Sequence, residues 1–532
     1  MGDRNKRLGR SIKRHRRPRP QSRNGGPGTI AASMRPWLVI VLAVSGCASL
    51  SIRDTKPLQA SQLEPVGAER ISHGGYRFDA LPISSETPDL IVIISMSGGG
   101  KRSASFGYGA LKGMRDVTVP TRMGPRSLLS QVDVMTGVSG GSFPISYYGL
   151  YRDQTFDKFA TDFLYDDTNS YIFGIYLLPW NWTWLVEPGI GTNDFMDRVY
   201  DRTMFHGATF ADLTKRGRPL IAIGATDISF GTPFIFTQES FDLICSDLSD
   251  VPISRAVAAS NGFPGLFSPV SLTNHAKDCG GRKPGWLRRI SPTERANELS
   301  RTGVEALRAE RYLDADKTRY LHLSDGGVSD NLAMRSGGAV LQTATATDVQ
   351  SRGILGVRRL LVISIDGQGA QDASVAQRKE VGGIFAMLGL VSGAQIDSYN
   401  FETLNTISQQ IKDFATRLSA ARCAQAAVIN GAHCDDVQAE LLHISLLGLP
   451  DSPEKARLLA IPTGLTLAHD DVDLLAQAGQ DAVTGNASLQ AFLAAYPPAS
   501  LSAAPSKRLR SSVAEVSARP SISRLDRSGA SP

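Results

Sequence analysis

Residues 131–151 read QVDVMTGVSGGSFPISYYGLY, and the order of properties in this stretch decides the fold class. Gln131 to Thr136 reads as a strand. A glycine turn follows at Gly137-Val138-Ser139-Gly140-Gly141, and Phe143 to Tyr151 then reads as a helix in which Pro144 sits in the first turn, where its missing N–H is tolerated. A serine on such a strand-to-helix turn occupies strained backbone, and glycines two residues to either side remove the Cβ atoms that would clash there. The turn lifts the hydroxyl clear of the sheet and aims a helix N-terminus at the atom it attacks. An ordinary Gly/Ser turn has the same composition, so the context carries the reading.

The same grammar recurs upstream. Leu90 to Met96 (LIVIISM) is a continuous apolar run rich in β-branched residues, as expected of a strand buried on both faces. It leads into Ser97-Gly98-Gly99-Gly100-Lys101-Arg102 and then a helix with Phe106, Ala110, Leu111 and Met114 on one face. Consecutive glycines let backbone N–H groups converge on an anion, either a phosphate or the oxyanion of a tetrahedral intermediate. The loop is not a Walker motif, whose lysine precedes Ser or Thr after a longer glycine spacing. Further apolar runs at Pro219 to Ala225, Tyr320 to Leu323 and Arg359 to Ile365 extend the alternation of strands and helices, which predicts a mostly parallel α/β sheet covered on both faces.

A triad of α/β-hydrolase type needs a histidine after the acid, and none of the chain's eight histidines lies in an evident catalytic loop. The best acid is Asp325, in Leu323-Ser324-Asp325-Gly326-Gly327 at the end of a strand, where two glycines leave the carboxylate open to a neighbouring loop. An Asx turn closing the strand is the structural alternative.

The glycine loop with Arg102, then the Gly137 to Gly141 turn, then Asp325-Gly326-Gly327, in this order and spacing, resemble the patatin-like phospholipase family. Lesser matches at Thr226-Asp227 with Gly231 and Pro233, and at Ala258-Ala259-Ser260 with Pro264 and Pro269, extend the likeness over roughly residues 88–345. The resemblance implies a three-layer α/β/α fold with a mostly parallel central sheet and a helical C-terminal extension. It implies a Ser-Asp dyad: Ser139 as nucleophile, Asp325 as its base, and the N–H groups of Gly98, Gly99 and Gly100 as oxyanion hole, with no cofactor and no metal. Arg102 matches the family's basic position and is expected to organise the loop or to meet lipid phosphate. The chain departs from the commonest pattern with Ser97 where Asp is frequent and Ser103 where Gly is frequent. The segment Ile461-Pro462-Thr463, followed by Val472-Asp473 and Ala478-Gly479, looks like the tail of bacterial patatin-like lipoproteins. A dyad has a physical consequence: a carboxylate is about 2–3 pKa units less basic than imidazole, so either burial raises Asp325 or the oxyanion hole carries more of the work.

Residues 1–33 hold ten Lys/Arg against one Asp and residues 500–532 hold six against two, so of the net +6 the body between them holds −7. An acidic body gives no support to a nucleic-acid groove. Trp37 to Val44 (WLVIVLAV) is shorter than the roughly 20 residues of a spanning helix and fits the apolar region of a signal peptide, with Arg35 as its basic flank. Val44-Ser45-Gly46-Cys47 then resembles a bacterial lipobox, which implies lipidation of Cys47, a body tethered to the cell envelope, and translation starting at Met34. An uncleaved anchor is the alternative. In an oxidising compartment Cys245 would pair with Cys279 and Cys423 with Cys434; His275 and His433 lack the partners a zinc site needs.

The domains expected are a basic arm or mis-assigned start (1–33), a signal peptide (34–46), a polar tether (47–87), a catalytic domain (88–370) with insertions near 151–215 and 281–316, a mainly helical extension (371–499) and a disordered tail (500–532). Phe401, Leu404, Ile407, Ile411 and Phe414 form the apolar stripe of that extension. Tyr171 to Val186 (YIFGIYLLPWNWTWLV) carries Trp180, Trp182 and Trp184 without a charge, which suits a membrane interface, the mouth of an acyl groove, or a core under an inserted lid. The leading functional expectation is a lipid acyl hydrolase of the phospholipase A or lysophospholipase kind. A carboxylesterase or thioesterase on soluble acyl substrates and a catalytically silent envelope scaffold are the alternatives.

Overall fold

The run at Leu90–Met96 becomes strand β1 of a mixed eight-stranded sheet in the computed structural model, which describes residues 53–81, 86–121, 123–182, 190–335, 337, 354–369, 373–377, 379–380 and 384–495. Its helix α1 (Gly100–Asp116) leads on to β2 (Val134–Val138) and α2 (Ser142–Tyr151), and a helical insertion containing α3 (Thr168–Leu177) precedes β3 (Leu220–Asp227). Strand β4 (Thr232–Ile235), helix α4 (Ile253–Ser260), strand β5 (Val270–Thr273), helix α5 (Arg301–Leu313) and strand β6 (Tyr320–Ser324) follow. The chain continues through β7 (Arg359–Asp366), α6 (Ile384–Gln425), β8 (Gln438–Ser445) and α7 (His469–Thr484). The sheet runs β8-β7-β1-β2-β3-β6-β5, with β4 also on β3. Its first four pairings are parallel, and those of β3, β6, β5 and β4 are antiparallel.

Alternation along the strands makes the three layers, because successive side chains leave opposite faces of a pleated sheet. Val92, Ile94, Leu361 and Ile363 face a core shared with Phe106 and Ala110 of α1 and Leu475 and Ala476 of α7. Ile91, Leu360 and Val362 face the other way, onto Ile407, Ile411 and Phe414 of α6. The stripe expected in the C-terminal helix is thus a buried face, apart from Phe401, which is exposed. Low in the sheet, the buried Asp133 carboxylate accepts from Val92 N–H (2.9 Å) and pairs with Arg218 (3.1 Å), tying β1 to the start of β3.

One expectation about organisation needs correction. Residues 53–81, read as part of a polar tether, belong to the body: Lys56–Pro57 pairs with Ser246–Asp247, Ile71 and Tyr76 are buried, and Ile221 N–H donates to the Tyr76 hydroxyl (2.6 Å). The C-terminal region is mainly helical as expected, and β8 within it adds a parallel edge strand to the central sheet. Its sequence, QAELLHIS, is half-exposed and carries no continuous apolar run, which is why it does not read as a strand. The polar stretch at 281–316 folds back through α5, whose Tyr312 donates to the Asp227 carboxylate (3.1 Å). Both expected disulfides, Cys245–Cys279 and Cys423–Cys434, are present. The expected basic arm, signal segment, Cys47, Trp184 and tail lie outside the described residues.

Helices α1 and α7 approach backbone to backbone. A Cβ on Gly109 would stand 1.8 Å from the Ala476 carbonyl oxygen, and one on Gly479 would stand 2.1 Å from that of Phe106. Gly109→Ala should therefore force the helices apart and lower stability by about 1–3 kcal/mol, read from urea unfolding. Gly337→Ala, where nothing lies within 4 Å, should stay within about 0.5 kcal/mol of wild type; equal losses in the two variants would refute the close-contact account.

Candidate active site

Register brings the two glycine turns side by side. Met96 at the end of β1 is level with Gly137 of β2, and Val138 is level with Gly224 of β3, so both turns leave the same edge of the sheet at the same height. Strand β6 runs the other way, with Ser324 opposite Thr226. Its exit therefore heads back toward the level of Val138, and a Cβ on Gly326 would lie 2.7 Å from a Val138 methyl group. An antiparallel strand thus carries Asp325 to the nucleophile turn.

Ser139 has φ 49°, in the left-handed region, a conformation costing roughly 1–3 kcal/mol for a side chain other than glycine. Its neighbours hold it there. Ser139 N–H donates to Ser260 Oγ (2.9 Å), which itself donates to the Gly224 carbonyl (2.6 Å), while Ser142 Oγ donates to the Ser139 carbonyl (2.6 Å). Space is equally tight around Gly137, Gly140 and Gly141. Cβ atoms there would stand 2.7 Å from the Gly141 carbonyl oxygen, 2.0 Å from that of Gly100 and 2.6 Å from that of Met96.

The Ser139 hydroxyl has one proton and points it at Asp325 Oδ2, 2.8 Å away; Asn261 Oδ1 is a more distant neighbour at 3.4 Å. Asp325 Oδ1 accepts from Gly327 N–H (2.8 Å), and its own N–H donates to the Gly262 carbonyl (3.0 Å). Both residues are 6% exposed. Burial pushes the Asp325 carboxyl from an ordinary 3.8 to about 6, against the opposing pull of the Gly327 and Ser139 hydrogen bonds. That lies within about one unit of free imidazole. Among the described residues no histidine hydrogen-bonds to Ser139 or Asp325: His322 meets Ser271, His443 meets Ser364 and His469 meets the Tyr165 carbonyl.

The glycine loop divides its labour differently from expectation. Gly98 N–H donates to the Asn331 carbonyl (3.0 Å) and is engaged, whereas the N–H groups of Gly99 and Gly100 have no acceptor among the described residues. Gly99 (φ 134°) and Gly100 (φ 59°) hold positive angles that favour glycine and open helix α1 toward Ser139. Arg102 braces the loop: its Nε donates to the Gly367 carbonyl and its Nη1 to that of Ile461, both at 2.9 Å. The departures at Ser97 and Ser103 compensate each other. Ser103 Oγ donates to the Ser97 carbonyl (2.6 Å), and Gly367 N–H donates to Ser97 Oγ (3.0 Å).

A cavity of about 10 Å³, room for about one water, is lined in part by Gly100, Asn261, Phe143, Phe163, Tyr200 and Leu465. Lys101 also reaches it. Its ammonium lies over the Phe163 ring and donates to the Asp166 carbonyl, and burial lowers it to about 8 while Asp166 and Asp167 pull the other way. In the sequence Ser260 reads as fold evidence alone, and Asn261, Asn331, Lys101 and Leu465 carry no assigned role. The small-residue run Ala258 to Gly262 is the available signal for Ser260 and Asn261; Leu465 has none. Of the aromatic segment, Phe173, Tyr176, Leu177 and Trp182 are exposed, while the Trp180 side chain is not among the parts described.

Residues 94–336 match the family model described as patatin-like phospholipase. Among solved structures, human GIVD cytosolic phospholipase A2 aligns at 12% identity with a TM-score of 0.41, covering 78% of this chain and 62% of that one. Its complex with methyl gamma-linolenyl fluorophosphonate aligns at 14% identity and a TM-score of 0.34, covering 78% and 59%. This chain thus spans about three fifths of the length of these neighbours. No curated protein matches it.

Two stability measurements test the site's construction. Ser260→Ala leaves the buried Ser139 N–H without an acceptor and should cost about 1–3 kcal/mol in denaturant unfolding; a loss below 0.5 kcal/mol would show that another group holds the turn. The raised Asp325 pKa means that the folded state binds its proton more tightly than the unfolded one. Stability from this group therefore falls as pH rises from about 4 to 6, and above that window the buried charge costs about 3 kcal/mol. Asp325→Asn should consequently raise the unfolding temperature at pH 8 more than at pH 4; an equal change at both pH values would contradict the shift.

Proposed function

We propose that this chain is a serine lipid acyl hydrolase of the phospholipase A or lysophospholipase kind, working through a Ser139-Asp325 dyad. The 2.8 Å contact between Ser139 Oγ and a buried carboxylate, with no histidine hydrogen-bonded to either among the described residues, is the observation that carries the proposal. Asp325 takes the hydroxyl proton as Ser139 Oγ bonds to the ester carbonyl carbon. The carbonyl oxygen becomes an oxyanion facing the N–H groups of Gly99 and Gly100, at the N-terminus of α1. Each well-aimed donor supplies roughly 3 kcal/mol to such a transition state. Collapse breaks the bond to the leaving alkoxide, which receives the proton from Asp325. Water then attacks the acyl-serine, losing its proton to Asp325 and regenerating the hydroxyl.

The lipid character of the substrate is supported by the family match and by the exposed apolar side chains Phe173, Tyr176, Leu177 and Trp182 on and after α3, which suit contact with a lipid surface. Anchoring through lipidated Cys47, with the body on the outer side of a bacterial membrane, belongs to the same proposal; its supports are the lipobox-like sequence and the two disulfides.

Phospholipid vesicles and monomeric esters, offered to the wild type, Ser139→Ala, Asp325→Asn and each histidine variant, distinguish the readings. Loss of at least a thousandfold in both dyad variants and in no histidine variant is expected; an active Asp325→Asn would overturn the dyad. Because Asp325 must be ionised to act as base, kcat/KM should fall below a limb near pH 6 and level off above it. A limb near pH 4 would mean that burial does not tune this group.

A further inference from the structure

Helix α3 is apolar on two faces and covered on one. Ile172 and Ile175 are buried, whereas Phe173, Tyr176 and Leu177, at spacings of three and four, are 48–72% exposed. Trp182 joins them, half-exposed, with its indole N–H donating to the Tyr176 carbonyl (2.9 Å). A helix that is apolar all round is ordinarily buried all round, and no charge interrupts the chain from Tyr171 to Val186. The start of the helix is fixed to the body. Lys101 Nζ donates to the Asp166 carbonyl, and the Thr466 hydroxyl donates to Asp167 (2.9 Å) and accepts from Asn169 N–H (3.2 Å).

The N-terminal chain joins the fold beside this helix. Arg53 pairs with Asp197 (3.1 Å) and Asp201 (2.7 Å), Asp54 accepts from Thr273 N–H (3.0 Å), and Lys56–Pro57 pairs with Ser246–Asp247. Asp197 belongs to the helix Thr192–Tyr200, which lies against α3. Cys47 stands six residues before Arg53, a reach of at most about 20 Å of extended chain. A bilayer holding an acyl group on Cys47 is therefore kept within that reach of the elements next to α3.

We infer that the outer face of α3, with Trp182, is the surface that docks on the lipid bilayer holding acylated Cys47, so that Ser139 works on lipids of its own membrane. This rests on the anchored lipid hydrolase proposed above and deepens it. A short tether keeps the apolar face at high local concentration over one bilayer, and the face fixes the orientation that the tether leaves free. Tyr and Trp are the side chains suited to the headgroup level. Thr168, the first residue of α3, lines the same water-sized cavity as Gly100 and Asn261, so the docked helix begins at the glycine turn.

The test reconstitutes the full chain in phosphatidylcholine vesicles after intact-mass analysis has checked the acylation of Cys47. An environment-sensitive dye on Leu177→Cys should shift its emission to the blue by about 10 nm on incorporation, as apolar surroundings require. The same dye on Phe401→Cys, an equally exposed position on α6 in the opposite layer, should not shift. Fluorescent phospholipid should be hydrolysed at least tenfold faster in the protein's own vesicles than in a second, protein-free population. An unshifted dye at 177 in vesicles carrying the acylated protein, or equal hydrolysis of the two populations, overturns the inference and leaves the hydrolase reading standing. A blue shift without vesicles, accompanied by dimers in sedimentation, assigns the face to a second copy and overturns it as well. Protein without the acyl mass removes the anchor and the inference together. Absence of hydrolysis in either population removes the hydrolase reading, while the dye still reports docking.

Discussion

Two glycine turns touch through their backbones, and the site depends on that contact. With a side chain on Gly140, its Cβ would lie 2.0 Å from the Gly100 carbonyl oxygen; with one on Gly141, its Cβ would lie 2.6 Å from the carbonyl oxygens of both Met96 and Ser97. Nothing larger than glycine lets the Ser139 turn and the Gly98-Gly99-Gly100 turn stand this close. The parallel pairing of β1 with β2 delivers both turns to one edge, and the contact then sets the distance between the Ser139 hydroxyl and the free N–H groups of Gly99 and Gly100.

The acid arrives by a different route. Strand β6 is antiparallel to β3, so its end turns back toward Val138 and buries Asp325 against Ser139. Burial makes the carboxylate harder to ionise, which in the proposed dyad would make it a stronger base. The same burial and the left-handed backbone of Ser139 are both unfavourable to folding. Ser260 offsets part of that cost by satisfying the Ser139 N–H and, through the Gly224 carbonyl, joining the turn to the middle of the sheet.

The C-terminal segment completes what the family-like domain begins. Helix α7 lies against α1 across glycine contacts at Gly109 and Gly479, and Arg102 reaches across to the Ile461 carbonyl. Helix α1 opens at the anion-binding turn, so the residues that hold it in place come from a part of the chain some 360 positions further on. Thr466 and Asp167 then tie the same segment to the aromatic insertion.

Local features were legible in the order of residues. Leu90 to Met96, the Gly137 to Gly141 turn and Asp325-Gly326-Gly327 identify strands, turns and reactive groups, because strand preference and glycine turns are properties of neighbouring residues. The stripe at Ile407, Ile411 and Phe414 was equally readable, since helical spacing repeats along the chain. Residues 53–81 and β8 were not, because polar sequences become part of a fold only through partners far away in the chain. The sequence by itself determined which side chains could do the chemistry. Tertiary structure alone decided that Gly98 N–H is engaged while those of Gly99 and Gly100 have no acceptor among the described residues, that Arg102 braces the loop and that burial pushes Asp325 to about 6. Each of these is a matter of burial or of a contact between distant segments, and neither is written in local order.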